Sequence, residues 1–217
     1  MSDIESVRLI DEKNPSIEEI DQTFTVWSAE NSGYDEQRPY IGLSTIADCP
    51  REIYNRYWNK TKASIDRRLL TLYSYEIQEA LTRRLMRAFP WDFVPGEEIS
   101  AYEGLIKGHT DGKLCGHPVE IKTIPLTVHL PQSVRQVPYR VITQINAYLH
   151  FGKFQDPCFL LYFARDSGAH IWIEIFRQPG FCRAIERKVE ELILAVKTEK
   201  APQCECRRKN GSAPHDI

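Results

Sequence analysis

Between residues 108 and 124 the chain reads GHTDGKLCGHPVEIKTI, and three of its side chains could do chemistry together. Glu120 and Lys122 stand two apart in a run rich in valine, isoleucine and threonine, residues that favour a pleated strand. Alternation along a strand sends Glu120 and Lys122 to one face and Val119 and Ile121 to the other. Asp111 begins a turn-forming pair with Gly112. If the segment from Asp111 to Glu120 folds back as a hairpin, Asp111 returns beside Glu120. Two carboxylates and one ammonium on a common face would form a compact site for a hard divalent cation. An E-x-K triplet alone also occurs on exposed strands, where its charges simply solvate one face, so the rest of the chain must decide between these readings.

The elements around the triplet can be read in order. Ser16-Ile17-Glu18-Glu19 forms a capping box that opens a short helix toward Trp27, and the polar stretch ENSGYDEQRP follows it. Residues 43–57 predict a second helical region, interrupted or restarted at Pro50, and residues 65–89 a long helix. Strands are expected over 92–104, 105–115 and 118–124, then a proline-punctuated loop, then a helix over 139–150. CFLLYFA and AHIWIEIF, joined by Arg165-Asp166-Ser167-Gly168, read as a buried hairpin. A closing helix over 181–199 precedes the irregular tail APQCECRRKNGSAPHDI. Helices, three strands, a helix, two strands and a helix predict an α/β domain whose mixed central sheet is flanked by helices. Residues 1–38 form an acidic accessory arm, 39–200 the main domain and 201–217 a cysteine-containing tail.

Composition narrows the function. The 217 residues suit one domain. No apolar run approaches a membrane span, and the opening lacks the basic-then-apolar pattern of a signal peptide. Six cysteines without a secreted disulfide pattern point to a reducing, cytoplasmic setting. There is no G-x-G-x-x-G and no P-loop, which removes support for dinucleotide or nucleotide triphosphate binding. The net charge of −2 conceals a gradient. Residues 1–40 hold ten acids against three bases, whereas residues 51–87 hold nine bases against four acids. Local basic surface matters more than net charge for holding a phosphate backbone. DNA is therefore a candidate partner, and the acidic arm is expected to cover the cleft or dock a protein.

Asp111, then Glu120-Ile121-Lys122 on the next strand, then Gln144-Ile145-Asn146-Ala147-Tyr148 on the next helix resemble the PD-(D/E)xK nucleases. The Q-x-x-x-Y spacing is similar to the RecB-like branch, which includes the CRISPR-associated iron–sulfur exonucleases, and STIADCPREIYNRYW resembles that group's N-terminal C-P-R helix. The likeness covers residues 42–206 and implies a restriction-endonuclease-like core. It also implies a metal-dependent deoxyribonuclease, an exonuclease acting on single strands or duplex ends. The alternatives are a structure-specific endonuclease on the same core and an inactive nucleic-acid-binding or assembly module.

The resemblance assigns Mg²⁺ or Mn²⁺ to Asp111, Glu120 and the carbonyl of Ile121, and water activation to Lys122. Gln144 and Tyr148, spaced i, i+4 on one helix face, support the active-site strands and DNA. Phosphodiester hydrolysis needs an activated water, neutralised phosphate oxygens and a stabilised leaving alkoxide, and divalent ions supply all three. On the long helix, Tyr73, Ile77, Leu81, Leu85 and Ala88 share an apolar face, with Gln78 at its edge where the family more often has histidine. Gln78 is thus a candidate metal ligand, with Glu76 or Glu79 replacing it after a register shift. His109, Arg135 and Arg140 are candidate phosphate contacts. Cys115 and Cys158 read as buried small hydrophobes. The resemblance further implies a [4Fe-4S] cluster, or Zn²⁺ in its place, held by Cys49, Cys204 and Cys206, with Cys182 or His215 as the fourth ligand.

Overall fold

In the computed structural model, residues 17–30, 39–58, 65–125 and 128–204 are described. Their elements are α1 (Ile17–Glu30), β1 (Ile41–Gly42), a 3-10 turn (Leu43–Thr45), α2 (Pro50–Trp58), α3 (Ile65–Ala88), β2 (Phe93–Pro95), β3 (Glu98–Ala101) and β4 (Ile106–His109). There follow β5 (Gly112–Leu114), β6 (His117–Ile124), a second 3-10 turn (Val134–Gln136), α4 (Tyr139–Phe151), β7 (Cys158–Ala164), β8 (His170–Ile175) and α5 (Pro179–Thr198). The capping residue expected at Ser16 lies outside the described residues. Pro50 explains the interruption expected in 43–57. Its fixed φ and missing N–H suit the first helical position, so α2 starts there, preceded by only a 3-10 turn.

The strands expected over 92–104 and 105–115 are each divided in two. β2 and β5 belong to a five-stranded mixed sheet ordered β2-β5-β6-β7-β8, while β3 and β4 belong to a three-stranded sheet ordered β1-β4-β3. The division falls where residues 96–97 touch Thr110. Thr110 N–H donates to the Glu97 carbonyl and Glu97 N–H to the Thr110 hydroxyl, both at 3.3 Å. A Cβ at Gly96 would lie 1.6 Å from the Thr110 carbonyl oxygen, so the approach requires glycine. One long antiparallel ribbon thereby bends to serve two sheets, and Asp111 sits just past the bend.

Helices cover both faces of the larger sheet. Val119, Ile121 and Leu161 pack with Leu81 and Leu85 of α3. On the other face Leu160, Tyr162, Ile173 and Ile175 pack with Ile142, Ile145 and Leu149 of α4. Behind α4, Ile185, Val189, Leu192 and Val196 of α5 close a core with Leu43, Ile46, Ile106, Ala147 and Tyr148. β6 and β7 run parallel, and β7 is buried almost throughout. β8 is not buried as expected. It lies at the sheet edge, with Trp172 38% exposed. Among the described residues no helix is long and apolar enough to cross a membrane.

Candidate active site

The hairpin that returns Asp111 to Glu120 is present. β5 pairs with β6 in the register Gly112↔Val119 to Leu114↔His117. Its turn is Cys115-Gly116, both residues at positive φ (52° and 85°), as a primed two-residue turn requires. Cys115 is consequently exposed rather than buried, whereas Cys158 is buried as expected. Asp111 N–H donates to the Val119 carbonyl at 3.1 Å. In return, Ile121 N–H donates to Asp111 Oδ2 at 2.6 Å. The N–H and C=O of one strand residue project from the same edge, so the Ile121 carbonyl also points toward the Asp111 side.

Strand alternation holds as expected: Val119 and Ile121 face α3, and Glu120 and Lys122 face α4. Glu120 is 3% exposed. Lys122 Nζ lies 2.6 Å from Glu120 Oε1 and donates to Gln144 Oε1 at 3.1 Å. Gln144 Nε2 donates to Glu120 Oε1 at 2.8 Å and to the Tyr148 hydroxyl at 2.9 Å. One amide thus ties both charged groups of β6 to α4, and the i, i+4 spacing places Tyr148 as its backstop. Gly108 leaves room for that ring, since a Cβ there would lie 2.9 Å from Tyr148 Cε1.

Burial and charge act against each other in this group. Burial and the neighbouring Glu120 hold the Asp111 carboxyl well above the usual carboxylate range, against the opposing pull of the Ile121 N–H and Lys122. Burial works against the charged form of Lys122, yet Glu120 and Asp111 outweigh it and raise its pKa, so it is an ammonium. Burial, followed by the charge of Glu120, raises the Tyr148 phenol well above its ordinary value and keeps it neutral. Glu120 Oε2 is buried and has no hydrogen-bond partner among the described residues. An orphaned carboxylate oxygen beside a second carboxylate is the donor chemistry a hard divalent cation takes. Among the described residues no third His, Cys, Asp or Glu joins them. Mg²⁺ tolerates this, because it keeps several waters.

Other expected residues lie elsewhere. Gln78 is partly buried on α3, and no hydrogen bond joins its side chain to the trio among the described residues. Its helix packs through Ile77, Leu81 and Leu85 on the face opposite Glu120 and Lys122. Glu76 is exposed, and Glu79 is exposed and paired with Arg83 at 2.6 Å. His109 sits in register with Glu98 on the small sheet, exposed. Arg135 is exposed, but Arg140 pairs with Asp48 together with Arg56, while Lys188 donates to the Asp48 carbonyl. Cys49 and Cys204 come together with sulfurs 3.9 Å apart. Cys182 does not join them. It is buried in the first turn of α5 against Asn146, about 24 Å along the helix from the turn that precedes Cys204. Cys206 and His215 lie outside the described residues. Sequence reading missed Asp48, an ordinary acid beside Cys49 whose partners are distant in the chain, and treated Tyr162 only as part of an apolar strand.

The layers, the mixed sheet and the bent ribbon define an α/β fold with helices on both faces of its larger sheet. No family model and no curated protein matches the chain. Among solved structures, it is similar to the alkaline exonuclease LHK-Exo from Laribacter hongkongensis, with a TM-score of 0.55 and 14% identity over 81% of this chain and 93% of that one. The same exonuclease in complex with dAMP gives a TM-score of 0.54 at 14% identity over the same shares. The crystal structure of SSO0001 gives 0.50 at 17% identity, covering 81% of this chain and 86% of that one.

Proposed function

We propose that the protein is a metal-dependent deoxyribonuclease, an exonuclease acting on single strands or duplex ends. The observation that carries this reading is the orphaned Glu120 Oε2, buried beside a second carboxyl group, Asp111, and the Lys122 ammonium. The fold shared with an alkaline exonuclease supports it. Asp111, Glu120 and the Ile121 carbonyl would hold the cation, which when bound supplies charge neutralisation at the phosphate and a more acidic water. Lys122, an ammonium about a third exposed, donates hydrogen bonds to the phosphate and the attacking water and so orients them. Gln144 fixes the Glu120 carboxylate and the Lys122 amine relative to each other, and Tyr148 fixes Gln144.

The test incubates the purified protein with end-labelled linear and closed circular DNA, single- and double-stranded, in Mg²⁺, Mn²⁺ or EDTA. Cleavage of linear DNA is expected, lost in EDTA and reduced at least about a hundredfold by Lys122→Ala. Cutting of closed circles would replace the exonuclease with an endonuclease. DNA binding that is indifferent to Mg²⁺, without cleavage, would leave a binding module.

The cysteines carry a second metal. Two thiolates on one tetrahedral ion with metal–sulfur bonds of about 2.3 Å stand about 3.8 Å apart, and the 3.9 Å between Cys49 and Cys204 matches this. Cys206 is the third ligand, and the metal is an iron–sulfur cluster or Zn²⁺. Iron, sulfide and zinc assays of the anaerobically purified protein are expected to find one of them, and to find it lost in Cys204→Ser. Absence of all three rules out a metal at the cysteines.

A further inference from the structure

Three buried side-chain polar atoms lack a hydrogen-bond partner among the described residues: Glu120 Oε2, the Tyr162 hydroxyl and Arg177 Nε. Arg177 Nε at least stands 4.0 Å from Asp156 Oδ1. The other two lie on adjacent strands beside Lys122. Tyr162 and Lys122 are register partners in the parallel β6–β7 pair, so their side chains leave the same face from strands about 4.8 Å apart. Each is in the other's electrostatic field. The cation site accounts for the Glu120 oxygen, but a neutral phenol is no equivalent ligand. The Tyr162 ring packs among Val137, Ile142, Leu160 and Ile173, where phenylalanine would serve as well and leave nothing unsatisfied. Its hydroxyl has essentially no solvent-accessible surface, so it cannot touch a nucleic acid. The charged donor beside it on that face is the Lys122 amine.

Resting on the nuclease reading, we propose that Tyr162 is a positioning residue that gives Lys122 a second seat. Lys122 now spends its bonds on Glu120 Oε1 and Gln144 Oε1. A divalent cation seated on Glu120 Oε2 sets a second positive charge on the same carboxylate, and its repulsion drives the amine off Oε1. The displaced ammonium, with three N–H groups, keeps Gln144, donates to the Tyr162 hydroxyl and shares its remaining N–H between the phosphate and the attacking water. The tyrosine thus lowers the cost of admitting the cation and fixes where the lysine goes.

The test is Tyr162→Phe, measured three ways. In EDTA its Tm should equal or exceed that of the wild type, because an unsatisfied hydroxyl has been removed. Titration with Mg²⁺, followed by the rise in Tm, should show half-saturation shifted up about tenfold, the effect of one hydrogen bond to a charged group. In the DNA assay kcat should fall by a similar factor with KM for DNA unchanged. Wild-type half-saturation and kcat would overturn the proposal. So would a lower Tm in EDTA with Mg²⁺ binding intact, the mark of a packing role. Should the wild type bind Mg²⁺ but cleave nothing, the nuclease reading fails on its own, and the Mg²⁺ titration still decides for or against Tyr162. No Mg²⁺ effect on either protein overturns both.

Discussion

Asp111 illustrates what the candidate site imposes on the fold. Burial, and then the nearby Glu120, raise its pKa well above the value it has in an unfolded chain. Between those two values the native state binds more protons than the unfolded state, so stability falls as pH rises through that window. Above the raised folded value the penalty is complete. Asp111→Asn keeps an oxygen to accept the Ile121 N–H and removes the charge. In EDTA at neutral pH the variant is expected to melt about 2–4 °C higher, the shift of ~1 kcal/mol in a chain of this size. It should also lack the fall in Tm with rising pH, and it should lose Mg²⁺-dependent cleavage. Melting curves from acid to neutral pH on both proteins check the sign; a variant less stable than wild type at neutral pH would contradict it. Lys122 has the opposite linkage. Its raised pKa contributes stability that is present below its unfolded value and lost as alkaline pH passes the folded one.

At the scale of elements, the bent ribbon decides where Asp111 goes. Gly96→Ala would place a methyl group 1.6 Å from a backbone oxygen, which no side-chain rotation relieves. The two chains must separate there, at a cost of about 3 kcal/mol, read as a lower midpoint in urea. Because Asp111 follows Thr110 directly, cleavage should fall further than stability alone explains. Little of this bend was legible in the sequence: it depends on a contact between residues fourteen apart, and only the glycine marks it. The helices were legible, since their apolar spacing is local. Ile77, Leu81 and Leu85 of α3 were read correctly as a buried face, although Tyr73 and Ala88 on the same face are exposed. The pairing of Glu120 with Lys122 followed from strand alternation. The bond from Gln144 to Glu120 required knowing which helix covers which face of the sheet, and the hydroxyl of Tyr162 was hidden because an apolar strand looks the same with tyrosine or phenylalanine.

Across the whole molecule, segments far apart in the chain are held at a few polar points. Asp48, its side chain 11% exposed, meets Arg56 of α2, Arg140 of α4 and Lys188 of α5. Arg51 Nε donates to the Pro202 carbonyl at 2.9 Å, next to the Cys49–Cys204 approach. The parallel β6–β7 pair has a further consequence. Its strands lie on either side of the connection that leaves Pro125, in register from Val119↔Phe159 to Ile124↔Ala164. Glu120 and Lys122 precede that connection, and Gln144 and Tyr148 follow it. A chain severed between Pro125 and Val128 would therefore yield two complementary fragments, neither able to assemble the polar network alone. Joined, they would share a sheet, an apolar core and the Asp48–Arg140 pair, so reunion of the two halves would be read as recovery of the proposed DNA cleavage.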